Sequence, residues 1–123
     1  MQTGDKYVSR MTVNDSHTAQ TIGSGDMPVL ATPAMVALME NAAMNVVAAQ
    51  LPSDSTTVGT ELTISHLKAS PIGAAIEAEA TLTAIDGRKL SFDVVARQGE
   101  TIIGKGTHVR YIVERERFMA KCK

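Results

Sequence analysis

Between residues 29 and 51 the chain carries an apolar segment that a surface helix could not accommodate. Met35, Val36, Leu38, Met39, Ala42, Ala43, Met44, Val46 and Val47 fall on nearly every side of a helical wheel, whereas a helix with one buried face shows a single stripe. Such a helix has to be wrapped by other elements. Thr32-Pro33 marks its start, because a threonine hydroxyl can cap the first free amides and proline loses nothing at the first helical position. Pro52 and Ser53 stop it after Gln50. Glu40, Asn41 and Asn45 interrupt the run, which makes it a core helix rather than a membrane span.

Beyond the helix the chain alternates with period two, the signature of half-buried strands. From 56 to 68, Val58, Leu62, Ile64 and His66 form one face and Glu61, Thr63 and Ser65 the other. Ala74, Ile76, Ala78, Ala80, Leu82 and Ala84 then oppose Glu77, Glu79, Thr81 and Thr83. Asp86-Gly87 makes a two-residue hairpin turn, after which Leu90, Phe92, Val94 and Ala96 continue the buried face. Gln98-Gly99-Glu100 turns the chain into a last strand, 101–113. There Gly104 and Gly106 leave room for a close neighbour. A further strand at 8–12 is compatible with the front of the chain.

One long helix and four or five strands joined by short turns predict an α+β fold in which a single antiparallel sheet wraps the helix, the hot-dog arrangement. A length of 123 residues suits one domain, 1–123, with residues 1–12 and 114–123 peripheral. An unpaired sheet edge and an incompletely covered helix predict a homodimer.

Lys and Arg (12) nearly balance Asp and Glu (13), so no basic field is present to gather nucleic acid or an anionic membrane. Cys122 is the only cysteine, which excludes an internal disulfide and thiolate-pair metal sites and suits a reducing, cytoplasmic setting. The front of the chain shows no apolar run of signal-peptide type. His17 and His108 lack partners at metal-ligand spacing, so no metal is expected. No G-x-S-x-G elbow occurs, which argues against an ordinary serine hydrolase.

Three polar residues sit among apolar neighbours. Glu40 lies two turns into the helix, where an unpaired buried carboxylate is costly; it is either functional or on the one wet side with Asn41 and Asn45. Thr32 is either an N-cap or a hydroxyl that holds water or an oxyanion at the helix start. His66 is inward by parity and can hold or pass a proton near neutral pH. Eight residues, about 12 Å of helical rise, separate Thr32 from Glu40, so a substrate or water would have to lie between them.

The block Ala31-Thr32-Pro33-Ala34-Met35-Val36-Ala37-Leu38-Met39-Glu40-Asn41-Ala42, with Val58-Gly59-Thr60, Ser65-His66 and Gly104-Lys105-Gly106-Thr107-His108-Val109-Arg110, resembles the fluoroacetyl-CoA thioesterase family of hot-dog proteins. The resemblance implies a catalytic set of Thr32, Glu40 and His66, at the family's spacings of eight and twenty-six residues. It further implies that Gly59 approaches the thioester through its backbone and that Arg110 reaches the acyl end. The implied activity is hydrolysis of an acyl-CoA, with coenzyme A entering only as part of the substrate and no other cofactor. Glu40 would serve as nucleophile or general base, His66 would manage the proton, and Thr32 would position the target or the water. Lys68, Lys105 and Arg110 are candidate phosphate contacts. The family's fluoroacetate-detoxifying member carries a longer, Phe-rich segment before the helix, whereas residues 23–28 are short and lack aromatics, which points to a general short- or medium-chain acyl group. The competing expectations are a hot-dog hydratase acting on enoyl or hydroxyacyl thioesters and a non-catalytic acyl-CoA binding module.

Overall fold

The computed structural model describes residues 1–122. Five strands form one antiparallel sheet in the order β1-β3-β4-β5-β2: β1 Lys6–Thr12, β2 Ser55–His66, β3 Ala75–Asp86, β4 Lys89–Gln98 and β5 Thr101–Glu114. The short helix α1 (Ala19–Ile22) precedes the long α2 (Thr32–Val47), which a 3-10 turn extends through Gln50. The last described element is α3, Arg115–Lys121. No helix among the described residues is long and apolar enough to cross a membrane.

The inward faces of β3 and β4 follow the period-two expectation, since Ile76, Ala78, Ala80, Leu82, Leu90, Phe92, Val94 and Ala96 are all buried. Small residues on β3 bring α2 close to the sheet. Ala84 departs from the pattern because a register shift after Leu82 interrupts the β3–β4 ladder and leaves it exposed. The hairpin turn falls one residue later than expected, since Asp86 pairs with Lys89 and Gly87-Arg88 form the loop. Gly87 alone takes positive φ, at 60°, which suits a turn with glycine at its first central position.

Elements at both ends pack on the sheet. Residues 6–12 pair in full with β3, from Lys6 opposite Thr81 to Thr12 opposite Ala75, and Ser9 donates to Asn41 of α2 at 2.7 Å. The front segment is an edge strand that also anchors the helix. At the other end β5 continues to Glu114 and α3 packs back on it.

The helix is not enclosed by its own sheet. Met35, Met39, Ala42, Ala43, Val46 and Val47 are buried, mainly against β3 and β1, but Pro33, Ala37 and Asn41 are exposed. Wrapping by one copy of the sheet therefore covers only one side of an almost wholly apolar helix. At the other end of the strand order, β2 is a free edge whose inward side is only half covered.

A β-bulge between Gly59 and Glu61 corrects the parity of β2. Beyond it Leu62, Ile64 and His66 face inward as expected. Before it the inward residues are Thr57 and Gly59, and Val58 turns outward opposite Tyr111. An extra residue in one strand shifts its face by one position.

Candidate active site

The Thr32 side chain is not a helix cap. Ala31 occupies that position and makes no side-chain cap bond, so α2 begins one residue earlier than Thr32-Pro33 suggests and Thr32 belongs to its first turn. Its hydroxyl is instead 2.8 Å from His66 Nδ1 at the end of β2. This contact joins residues 34 positions apart. Gly104, beside His66 on β5, makes room for it: a Cβ there would lie 2.6 Å from Met35 Sδ, so the glycine lets the first turns of α2 settle onto the strand that pairs with His66.

Thr32 and His66 open onto a cavity of about 350 Å³ whose other walls include Ala19, Val29, Leu30, Leu67 and Lys68. Burial pushes the His66 imidazole below its ordinary pKa, and the Lys68 backbone partly restores it. His66 Nε2 is buried with no hydrogen-bond partner among the described residues. A neutral imidazole holding a hydroxyl on one nitrogen and leaving the other unused can relay a proton at pH 7.

Glu40 lies elsewhere. Its carboxylate points toward Gly59, where a Cβ would come within 2.8 Å of Glu40 Oε2, and it lines no cavity with Thr32 or His66. In a single chain the hydroxyl and imidazole meet, while the carboxylate does not join them. Nor is Glu40 sealed in the core, since its side chain is 41 % exposed.

Around Glu40 the structure assembles residues that metal-ligand spacing overlooks. His108 is 2 % exposed and Arg110 6 % exposed, so Arg110 is no surface cation. Its Nε donates to Thr57 Oγ1 at 2.8 Å and its Nη2 to the Thr57 carbonyl at 2.9 Å. His108 Nδ1 is 2.8 Å from the Glu61 carbonyl, which can only accept, so Nδ1 carries the proton. Nε2 is then free to accept from Arg110 Nη1 at 3.1 Å. His108 is thus a neutral imidazole of defined tautomer. Burial lowers its pKa most, with Arg110 acting in the same direction and the Glu61 carbonyl and Glu40 opposing. Burial also lowers the Arg110 pKa, while Glu40 supports its charge. Arg110 Nη1 remains 3.6 Å from Glu40 Oε2, close enough to attract but outside a short hydrogen bond. The parity that turns Gly104 and Gly106 inward carries His108 and Arg110 with it, and that is the signal in the sequence that points to them.

Of the phosphate candidates, Lys68 lines the Thr32–His66 cavity, Arg110 is committed to Thr57 and His108, and Lys105 is exposed on the opposite face of β5. No group of three or more His, Cys, Asp or Glu side chains suited to a metal occurs among the described residues.

The sequence profile of the fluoroacetyl-CoA-specific thioesterases matches residues 13–116. The chain belongs to that family. The fluoroacetyl-CoA thioesterase of Streptantibioticus cattleyicolor is 38% identical over 95 residues, covering 77% of this chain and 68% of the relative. A solved structure of a fluoroacetyl-CoA thioesterase superposes with a TM-score of 0.93 at 32% identity, over 99% of this chain and 95% of that one. A variant of that enzyme holding fluoroacetate and CoA superposes at 0.88, with 31% identity over 96% and 99% of the two chains. A thioesterase-superfamily protein from Thermus thermophilus, 23% identical with a TM-score of 0.89 over 97% and 88%, shares the fold. This family member is thus a hot-dog thioester hydrolase by descent, and its sheet and helix follow that architecture throughout.

Proposed function

We propose that the chain hydrolyses a short- or medium-chain acyl-CoA to the free acid and CoA, and that Thr32, Glu40 and His66 carry the reaction in a site completed by a second copy. Family membership supports the acyl-CoA hydrolase activity. The observation that carries the residue assignment is the 2.8 Å contact between Thr32 and His66 at the mouth of a cavity.

The free edge β2 supplies the rest of the argument. Its inward face has Gly59, with Glu40 and Arg110 against it, near one end and His66, with Thr32, at the other. Antiparallel self-pairing about a two-fold axis between Leu62 and Thr63 would set Gly59 beside the partner's His66, one inter-strand spacing of about 5 Å away. Each dimer would then hold two identical sites, each with Glu40 from one copy and the Thr32–His66 pair from the other.

In such a site Glu40 attacks the thioester carbonyl, or removes a proton from the attacking water. His66 passes a proton to the departing thiolate, and Thr32 fixes the imidazole and the water. The Gly59 backbone, with no side chain in the way, lets the thioester lie against the strand, and Arg110 faces its acyl end. Hydrolysis by these groups is redox-neutral and needs no cofactor beyond the CoA carried by the substrate. A lone exposed thiol, Cys122, suits a cytoplasmic setting. Residues 23–28 are exposed and hold no aromatic ring, which supports acyl selectivity broader than fluoroacetyl.

Free-thiol release from a panel of acyl-CoAs tests the reading. Glu40→Gln and His66→Ala each lower kcat by about a hundredfold or more, and mixing the two inactive proteins restores turnover that neither shows alone. Undiminished turnover in Glu40→Gln would sink the residue assignment, and failure of the mixture to recover would sink the shared site.

A further inference from the structure

Two buried side-chain atoms have no hydrogen-bond partner among the described residues, His66 Nε2 and Ser70 Oγ. They belong to one short stretch. As the chain leaves β2 for β3, the Leu67 and Lys68 amides both donate to the Ile103 carbonyl, at 2.6 and 3.3 Å. The segment that enters α2 runs beside this stretch, with the Leu30 amide donating to the Ser70 carbonyl at 2.9 Å and Thr32 meeting His66 Nδ1 at 2.8 Å. Leu30 and Thr32 are two residues apart and span at most about 7 Å, so Ser70 and His66 are held one step apart along the same run. Ser70 is 0 % exposed and takes no part in the cavity wall, which Leu30 and Ala69 provide. Its hydroxyl is out of reach of any substrate there.

The sealing of His66 Nε2 decides which nitrogen can work. Only Nδ1 faces the cavity, by way of the Thr32 hydroxyl. To take up a proton there Nδ1 needs its lone pair, which leaves the hydrogen of the neutral ring on Nε2. Nε2–H is then a donor buried without an acceptor, and the Ser70 oxygen is an acceptor buried without a donor. Interiors rarely tolerate either. The two atoms do not bond directly, but one internal water, with two bonds of about 2.8 Å, joins groups roughly 5.5 Å apart.

We propose that Ser70 is a positioning residue for the reaction: its hydroxyl and one buried water hold His66 Nε2–H, so that the imidazole keeps a single tautomer and exchanges protons only at Nδ1. The proposal deepens the acyl-CoA hydrolase reading and rests on it for the work done by His66. In the neutral ring and in the imidazolium alike Nε2 keeps its hydrogen. A proton taken up at Nδ1 leaves by the same atom, toward the Thr32 hydroxyl and the cavity. Pro71 confines residue 70 to extended backbone, which a β-branched side chain also favours, so Ser70→Thr keeps a hydroxyl at this position.

Three measurements on the full chain test it. Histidine nitrogen-15 NMR, with the His66 signals assigned by their loss in His66→Gln, reads the tautomer without substrate. We expect Nε2–H in the wild type and a mixture of tautomers in Ser70→Ala. Thermal melts read the buried hydroxyl, since Ser70→Ala melts about 3 °C lower if the hydroxyl holds a water, whereas removing an unpartnered hydroxyl leaves the melting point unchanged or raised. Thiol-release kinetics of Ser70→Ala then show kcat reduced on the order of tenfold with KM little changed, and Ser70→Thr recovers most of the rate. An Nδ1–H tautomer in the wild type, or a His66 spectrum and a melting point in Ser70→Ala identical to the wild type, overturns the proposal. Equal loss of rate in both variants with a raised KM marks a displaced loop and overturns it too. Absence of thiol release from any acyl-CoA by the wild type would count against the hydrolase reading alone, since the spectra and melts need no turnover.

Discussion

His108 shows how much one imidazole can decide. By accepting from Arg110 Nη1, it gives the guanidinium a nearer partner than Glu40, which stays 3.6 Å away, and on the proposed reading this leaves the carboxylate open to act as a nucleophile or base. His108→Leu removes that acceptor, and Arg110 is expected to close on Glu40. We expect kcat to fall on the order of a hundredfold, as a misplacement of about 1 Å can cause, with KM little altered. His108→Gln, whose amide oxygen can accept from Arg110, should recover part of the rate, whereas a purely structural loss would lower both variants alike. The buried His108 and the half-buried His66 also set a pH limit. His66 and His108 have pKa values below the ordinary 6.5, so the unfolded chain binds their protons first on acidification. Their contribution to stability is full above pH 6.5 and is lost as pH falls below it. Urea titrations at pH 7.5 and 5.5 check this, and His66→Gln should flatten the dependence. Thr32 and His66 stood out in the sequence as polar groups among apolar neighbours, and only the family resemblance grouped them as a set. Their contact was not legible, because nothing local tells a threonine at a helix start to abandon its cap for a histidine 34 residues away.

At the scale of elements, the bulge in β2 decides which residues meet. Simple alternation turns Val58 inward, and the structure turns Gly59 and Thr57 inward instead, because a single extra residue in the strand is invisible to a count of every second position. β3 and β4 were readable almost in full, since their alternation carries apolar residues against charged ones along most of their length. Two glycines on the paired strands β2 and β5 make opposite predictions. A Cβ at position 59 would meet the half-exposed Glu40 carboxylate at 2.8 Å and the buried His108 ring at 3.0 Å. Gly59→Ala should therefore cost at most about 1 kcal/mol of stability and lose at least about tenfold in kcat/KM. A Cβ at position 104 would meet Met35 at 2.6 Å and the Ser65 carbonyl at 3.2 Å, so Gly104→Ala should cost about 1–3 kcal/mol by overpacking. Thermal melts beside thiol-release assays separate the two.

For the molecule as a whole, the exposed side of α2 and the free edge of β2 form one uncovered surface. Apolar circumference on the helix signalled that one sheet would leave it incompletely covered, and the structure adds which side stays open, that of Pro33, Ala37 and Asn41. Leu62→Glu places a charge on the inward side of the edge strand. It is expected to yield a folded monomer by sedimentation, with thioesterase activity lost together with assembly. A dimer that persists with full activity would remove the two-fold arrangement.

The strand order β1-β3-β4-β5-β2 also bears on how a newly made chain finds this fold. Only β3, β4 and β5 can zip up from neighbouring hairpins. β1 emerges from the ribosome with no mate until β3 appears, and β2 must wait for β5, the last strand synthesised. A nascent chain halted before residue 101 would therefore expose β2 and much of an apolar helix, a state that calls for a chaperone, and His66 would find its place only as translation ends.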